Sequence, residues 1–290
     1  MKKIQFFLIL LLMQCGFVFG QTLQDSLCII SIKSDTVAIS PEIRHLHAHL
    51  PLLYNSPQNI NILEIDLKKD KSLLAEVIST PQMQQTSVTA ARNSAVAAIN
   101  GSFYNMKTGQ STCFLKLGKT IIDTTTTTNS FMTSGAIIIK DSKVSVVPWN
   151  KKIEHKKIKK PGTESILVSG PLLLQKGHYQ PLSKDKFNTD KHPRSAVATT
   201  KQGKLLFITI DGRQEGIAGG MTVFELAQFI KLMGGKDGLN LDGGGSTTLW
   251  AGGVSESGVL NVPSGNVELG QFGERHVSNI VIVRRKDNNK

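Results

Sequence analysis

The sequence predicts an α+β fold: a mixed, mainly antiparallel β-sheet core with a few helices, including helix 222–233. Three observations lead there. From residue 131 onward, short apolar runs alternate with breakers at 136–139, 144–147, 166–168, 172–174, 195–200 and 205–210, a rhythm that favours antiparallel pairing. Lys201-Gln202-Gly203 supplies a turn between the last two runs, so residues 195–200 fold back on 204–210 and Arg194 comes opposite the Ile210 and Asp211 end. That hairpin predicts the Arg194 guanidinium and the Asp211 carboxylate to be neighbours. Thr222 and Glu225 form a capping box ahead of Val223, Phe224, Leu226, Phe229, Ile230 and Leu232, and Gly234-Gly235 stops the helix.

The elements follow in chain order. Residues 1–20 read as an export signal, with Lys2 and Lys3, an apolar stretch from Ile4 to Met13, and Val18-Phe19-Gly20 before Gln21. Cys15 raises lipid anchoring as a lesser alternative, because Met13-Gln14 is a poor match to the small residues expected before a lipidated cysteine. Periplasmic or extracellular placement is the consequence. Residues 21–90 look like a β-rich lead-in packed on the main domain, with runs at Leu27 to Ile32 and Ile60 to Leu67 separated by Pro41. His45, His47 and His49 alternate there, which on a strand aligns them on one face; surface histidines explain the pattern more simply than a metal site. The main domain spans 91–285. Within it Ala95 to Ile99 reads as a buried strand running into Asn100-Gly101, where glycine marks a sharp turn or a close backbone approach. Thr124 to Thr128 is a β-prone polar tract, Leu239 to Leu241 is a short buried strand, and 286–290 is a disordered tail.

Composition narrows the function classes. The chain has 290 residues, 40% hydrophobic, and a net charge of +12, enough for a sizeable core and clearly basic even without Lys2 and Lys3. Lys151 to Lys160 concentrates six lysines without one aromatic residue, so the stacking platforms of a nucleic-acid groove are missing. The run reads as a solvated loop or strand edge, with attraction to anionic glycans or membrane surfaces as the weaker reading. No apolar stretch after residue 20 approaches the roughly 18 residues needed to span a bilayer. Cys28 and Cys113 leave two readings level, a bridge between them or two free thiols.

Chemistry concentrates between residues 194 and 246. If strand 205–210, helix 222–233 and strand 239–241 form a crossover with parallel strands, Asp211 and Asp242 both stand at carboxyl ends, where the helix N-terminus also points. Helix N-termini and glycine-rich turns offer unpaired N–H groups to anions, which makes phosphate a reasonable ligand for Gly243-Gly244-Gly245. Each residue also has a plainer role: Glu225 completes the capping box, Asp211 and Asp242 start Asp-Gly turns, Arg194 pairs with Asp211, and Arg275 pairs with Glu274.

Taken together, Asn100-Gly101 with Phe103, Pro193-Arg194-Ser195-Ala196-Val197, Asp211-Gly212-Arg213, Glu225-Leu226-Ala227, Asn240-Leu241-Asp242-Gly243-Gly244-Gly245-Ser246, Pro263-Ser264, and Glu274-Arg275 with Ser278-Asn279 resemble the phosphodiester glycosidase family over roughly 95–284. The chain departs from that pattern at Val262, where members often carry arginine. The resemblance implies hydrolysis of a sugar-1-phosphate diester at the anomeric carbon; no cofactor is expected, and no histidine-carboxylate ligand spacing near the aspartates points to a metal. It assigns Asp211, Glu225 and Asp242 to acid/base and charge-stabilising work, and Arg194 and Arg275 to gripping phosphate in a bidentate fork. Asn100, Gly101, Arg213, Asn240, Gly243, Gly244 and Ser246 would bind sugar or phosphate. Two rival readings stay open: a phosphodiesterase cutting the P–O bond, and a non-catalytic envelope protein binding anionic glycans.

Overall fold

The hairpin around Lys201-Gln202-Gly203 positions everything else. In a computed structural model that describes residues 23–32, 36–265 and 273–286, Arg194–Thr200 and Leu205–Ile210 pair antiparallel with Arg194 opposite Ile210. These strands are the middle of an eight-stranded antiparallel sheet. Its order is Thr36–Ser40, Ile43–Leu53, Ser56–Ile65, Leu205–Ile210, Arg194–Thr200, Gly235–Asn240, Leu172–Gln175 and His178–Tyr179. All of Leu205–Ile210 is buried, which is why it reads as an unbroken apolar run and not as alternation.

One face of this sheet packs against two smaller antiparallel sheets. A five-stranded one is built from Leu115–Leu117, Thr120–Asp123, Gly135–Lys140, Lys143–Pro148 and Ser165–Ser169, and a four-stranded one from Leu73–Gln84, Ala95–Asn100, Leu249–Ala251 and Val277–Arg285. Val197, Phe207, Leu239, Ile99, Ile137, Leu167 and Val281 meet in the core between them. The other face carries Ala196, Ala198, Ile208 and Ile210 and is covered by helix Val223–Leu232 through Val223, Leu226, Ala227, Phe229 and Ile230. That helix forms where its periodicity and capping box predict: Thr222 Oγ1 accepts from Glu225 N, and Glu225 Oε2 accepts from Thr222 N. Replacing Phe229, fully buried, with alanine would remove about 3–5 kcal/mol of packing.

Two expectations change. Residues 23–31 are helical and not a strand, burying Ile29 and Ile32 against the large sheet. Lys151–Lys159 is a helix and not a loop or strand edge, because Asn150 caps it by accepting from Ile153 N and Glu154 anchors its buried side to Thr125 and Trp149. The segment before residue 90 packs on the rest by strand pairing: Ser56–Ile65 bonds directly to Leu205–Ile210, and Leu73–Gln84 to Val277–Arg285. The threonine tract 124–128 has no regular structure. Cys28 and Cys113 are both free. The export signal 1–20 and tail residues 287–290 lie outside the described residues, among which no helix is long and apolar enough to cross a membrane.

The crossover fixes the functional edge. Leu205–Ile210 and Gly235–Asn240 each run antiparallel to Arg194–Thr200 between them, so they are parallel to one another. Their carboxyl ends, followed by Asp211 and Asp242, therefore point the same way. The helix begins at that edge too, since Met221 pairs with His192 just before Arg194.

Candidate active site

Asp242 is where the sheet stops being a sheet. Leu241 N still donates to Ser195 O at 2.9 Å, but Asp242 N turns to Gly101 O at 3.1 Å and Gly244 N to Pro193 O at 2.9 Å. The chain thereby lifts out of the ladder toward the turn at Asn100-Gly101. Gly244 adopts φ +57°, a left-handed conformation that costs other residues free energy. The turn it meets is itself pinned: Asn100 Nδ2 donates to Asp242 O at 2.6 Å while its Oδ1 accepts from Ser195 Oγ at 2.7 Å and Thr248 N at 3.1 Å. Gly101 must be glycine, because a Cβ there would lie 2.0 Å from Asn279 Oδ1 and 2.6 Å from Asn279 O.

The Asp242 carboxyl is half-buried and surrounded by polar groups. Burial pushes its pKa up to about 6, against the opposing pull of Ser246, Arg275 and Arg213. Arg275 lies against the Gly245 backbone, where a Cβ would come within 2.5 Å of its guanidinium, and donates to Gly265 O at 3.2 Å. Arg213 is exposed and sits over Gly244, its guanidinium nitrogen 3.1 Å from where a Cβ would be. Tyr104 joins the group: burial raises its pKa, the Asp242 charge adds to that, and its hydroxyl donates to His276 O at 2.6 Å. The Ser246 hydroxyl stands near both Asp242 and Tyr104, close enough to favour their ionisation but without hydrogen-bond geometry to either. Its buried Oγ completes no hydrogen bond, and neither do the nearby Ser264 Oγ and Arg275 Nε. Buried polar atoms left open are uncommon in folded proteins, and a cluster of them beside two guanidiniums fits an oxygen-rich anion. Arg213 and Ser264 also line an adjoining cleft of about 510 Å³ with Asn261, Val262 and Glu274.

Asp211 is buried behind that cleft, and every bond its carboxylate makes is to an asparagine or a main-chain N–H. Its Oδ2 accepts from Asn59 Nδ2 at 2.5 Å and Val262 N at 3.0 Å, and its Oδ1 from Asn261 Nδ2 at 2.9 Å. Burial raises its pKa and these donors lower it. The carboxylate thus ties the loop that carries Ser264 to the sheet. His47 Nε2 bonds Asn59 Oδ1 at 2.7 Å behind it, and His45 Nε2 bonds Asn61 Oδ1 at 2.9 Å. Two of the three period-two histidines thus bond asparagines, and among the described residues no group of three or more His, Cys, Asp or Glu is placed to hold a metal.

Arg194 and Glu225 fall on the helix side of the sheet. Arg194 is 2% exposed; its Nε donates to Met221 O at 2.8 Å and one terminal nitrogen to Phe187 O at 2.7 Å and Asp190 O at 2.8 Å. Burial brings its pKa down to about 10, the Glu225 charge opposing that fall. No ion pair joins Arg194 to Asp211 among the described residues, which corrects the expected contact. Arg194 pairs with Ile210, so Asp211 is one residue out of step, and along a strand one residue is the difference between opposite faces. Glu225 spends its carboxylate on the capping box and on Lys191, 3.5 Å away. The three expected carboxylates therefore occupy three separate environments. Asn240 is buried, its Nδ2 donating to Gly170 O and Leu241 O at 2.8 Å each. Glu274, the surface partner considered for Arg275, instead accepts from Ser87 N at 2.9 Å.

The sequence profile of phosphodiester glycosidases matches residues 93–284. This chain belongs to the phosphodiester glycosidase family. Its fold is similar to that of the zebrafish N-acetylglucosamine-1-phosphodiester alpha-N-acetylglucosaminidase catalytic domain auto-inhibited by its pro-peptide, with TM-score 0.64, 20% identity and 86% of each chain covered. It is also similar to a protein from Synechocystis, with TM-score 0.61, 15% identity, and 86% of this chain against 63% of the other covered. Among curated proteins none matches significantly. Tyr104, Asn59, Asn261 and the Asn279 side chain are brought into the site by the fold alone. An asparagine or tyrosine carries no local pattern, and only the Asn-Gly and Ser-Asn pairs of the family motifs touch two of these contacts.

Proposed function

We propose that this phosphodiester glycosidase is an exported enzyme that hydrolyses a sugar-1-phosphate diester, of the N-acetylglucosamine-phosphate-sugar type, at the anomeric carbon. The observation that carries the reading is the loop after Asp242, where the Arg213 and Arg275 guanidiniums lie against Gly244 and Gly245, the buried Ser246 and Ser264 hydroxyls are unpartnered, and Asp242 itself is held at a pKa of about 6. A phosphate leaving group needs little protonation, so a site with guanidiniums for the phosphoryl oxygens and one raised carboxylate for water meets the main demands. In the proposed step Asp242 takes a proton from water as its oxygen attacks the anomeric carbon. The bond from that carbon to the bridging oxygen breaks, its electron pair stays on phosphate, and a free sugar and a phosphomonoester result. Arg275 and Arg213 hold the departing phosphate; Ser246, Ser264 and Tyr104 meet the remaining oxygens. Asn100, Gly101, Asn240, Gly243 and Gly244 shape the turn that holds Asp242.

Arg194, Asp211 and Glu225 are proposed as supports: the first fastens residues 187–190 and 221, the second the loop at 261–262, the third the helix start. Export to the periplasm or the exterior rests on the signal-like residues 1–20. The test is hydrolysis of N-acetylglucosamine-phosphate-mannose in oxygen-18 water. Label in the sugar supports cleavage at carbon; label in the phosphomonoester means P–O cleavage and overturns the proposal.

A further inference from the structure

A second concave surface lies at the opposite end of the central strands. Thr199, Thr200 and the Lys201–Leu205 turn form one wall of a cleft of about 840 Å³, whereas Asp211 and Asp242 follow the far ends of the same sheet. Strand Arg194–Thr200 separates the two, roughly 20 Å at about 3.3 Å per residue. Eight lysines and two aspartates line this cleft. Lys71, Lys143, Lys176, Lys201 and Lys286 are exposed and make no ion pair among the described residues. Lys68 Nζ reaches only a carbonyl, Gln202 O at 3.2 Å. Lys204 pairs with Glu64 at 2.6 Å, and Lys236 stands 3.9 Å from Asp237. Asp237 adds little negative field: it is 7% exposed, and its Oδ1 accepts from Gln175 Nε2 and Lys176 N, both at 2.7 Å.

Ammonium groups brought from several separate chain segments to one concavity repel each other. At physiological salt the screening length is about 8 Å, comparable with such a cleft, so the repulsion persists and the concave wall focuses the positive field. A ligand with several negative charges relieves it. The lining narrows the ligand further. It has no aromatic side chain, so bases find no stacking platform, and it is a cleft and not a plane, which suits a chain better than a bilayer. Between the lysines lie the part-exposed Ser142 and Ser145 hydroxyls and the part-exposed apolar side chains of Leu67, Val144 and Val147, which together suit the hydroxyls and C–H faces of sugars.

We propose that this cleft is a second, non-catalytic binding site for an anionic polysaccharide bearing phosphate or sulfate groups along its length. The site holds such a polymer independently of the pocket at Asp242. The test measures binding of fluorescent phosphomannan and dextran sulfate oligosaccharides, with neutral dextran as control, at low and at physiological salt. Two variants of equal charge change are compared after matching their thermal midpoints: Lys71→Gln/Lys143→Gln/Lys176→Gln/Lys201→Gln in the cleft, and Lys151→Gln/Lys152→Gln/Lys156→Gln/Lys159→Gln on the lysine-rich helix. The expected result is at least about tenfold weaker binding and a shallower salt dependence for the cleft variant, with little change for the helix variant. Binding of phosphomannan alone assigns phosphate as the charge read, and of dextran sulfate alone, sulfate. Equal weakening in both variants means bulk charge and overturns the proposal, as does tighter binding to anionic lipid vesicles or single-stranded DNA. Competitive inhibition of small-diester turnover by dextran sulfate places the polymer at Asp242 and also overturns it. Absence of any small-diester turnover would count against the catalytic reading alone, since the binding comparison does not depend on it.

Discussion

Asp242→Asn separates catalysis from stability in one substitution. Asp242 is held at a pKa of about 6 where an ordinary aspartate has 3.8, chiefly because the fold buries it. That difference corresponds to about 3 kcal/mol, and its sign follows from linkage. The unfolded chain releases this proton near the ordinary value and the folded chain only near 6, so stability is lost as pH rises between the two and stays lost above 6. Asparagine removes the charge and keeps the shape. The variant should therefore be more stable than the native chain by about 2–3 kcal/mol at pH 8, with the gain shrinking to a few tenths near pH 4. Its turnover of a sugar phosphodiester should fall by about a thousandfold, within the range expected for loss of a general base. Urea unfolding at the two pH values and initial rates on one diester give both quantities. A variant less stable at pH 8, or a gain indifferent to pH, would refute the argument that burial and not its arginines governs this carboxylate.

The two arginines should part company. Arg275→Ala should reduce kcat/KM on a phosphodiester by about 10- to 100-fold while sparing a phosphate-free glycoside, as expected for a lost charged hydrogen bond. Arg194→Lys should destabilise the fold by about 2–4 kcal/mol, because lysine cannot reach three carbonyls from one planar group, and turnover of the folded fraction should change equally on both substrates. Glu225→Ala should cost about 1 kcal/mol through the lost capping box and leave turnover at the native level; a large drop in rate would return Glu225 to the catalytic set. The native kcat/KM should rise with pH to a plateau above about 6, and a profile falling through that value would make Asp242 an acid and not a base.

How much of this was legible in the chain depends on distance along it. The hairpin at 201–203, the helix at 222–233 and the crossover that brings Asp211 and Asp242 to one edge are local patterns, and each is present where turn chemistry, capping and periodicity predict. The helix at 151–159 was missed because its lysine-rich face has almost no apolar periodicity; Asn150 at its cap and Glu154 on its buried side were the available signals. The helix at 23–31 is not legible because a short apolar run does not distinguish strand from helix.

By itself, then, the order of residues determined the central hairpin, the capped helix, the family and the edge at which the chemistry gathers, since each depends on neighbours a few positions apart. Only the tertiary structure decided which charged groups meet there. Asp211 and Arg194 sit on adjacent strands, yet a register offset of one residue sends their side chains to opposite faces, the former to Asn59 and Asn261, the latter to main-chain carbonyls. Asp242 comes into the field of Arg275 because its chain leaves the sheet to bond Gly101 O, a contact made across 141 positions that no local pattern encodes.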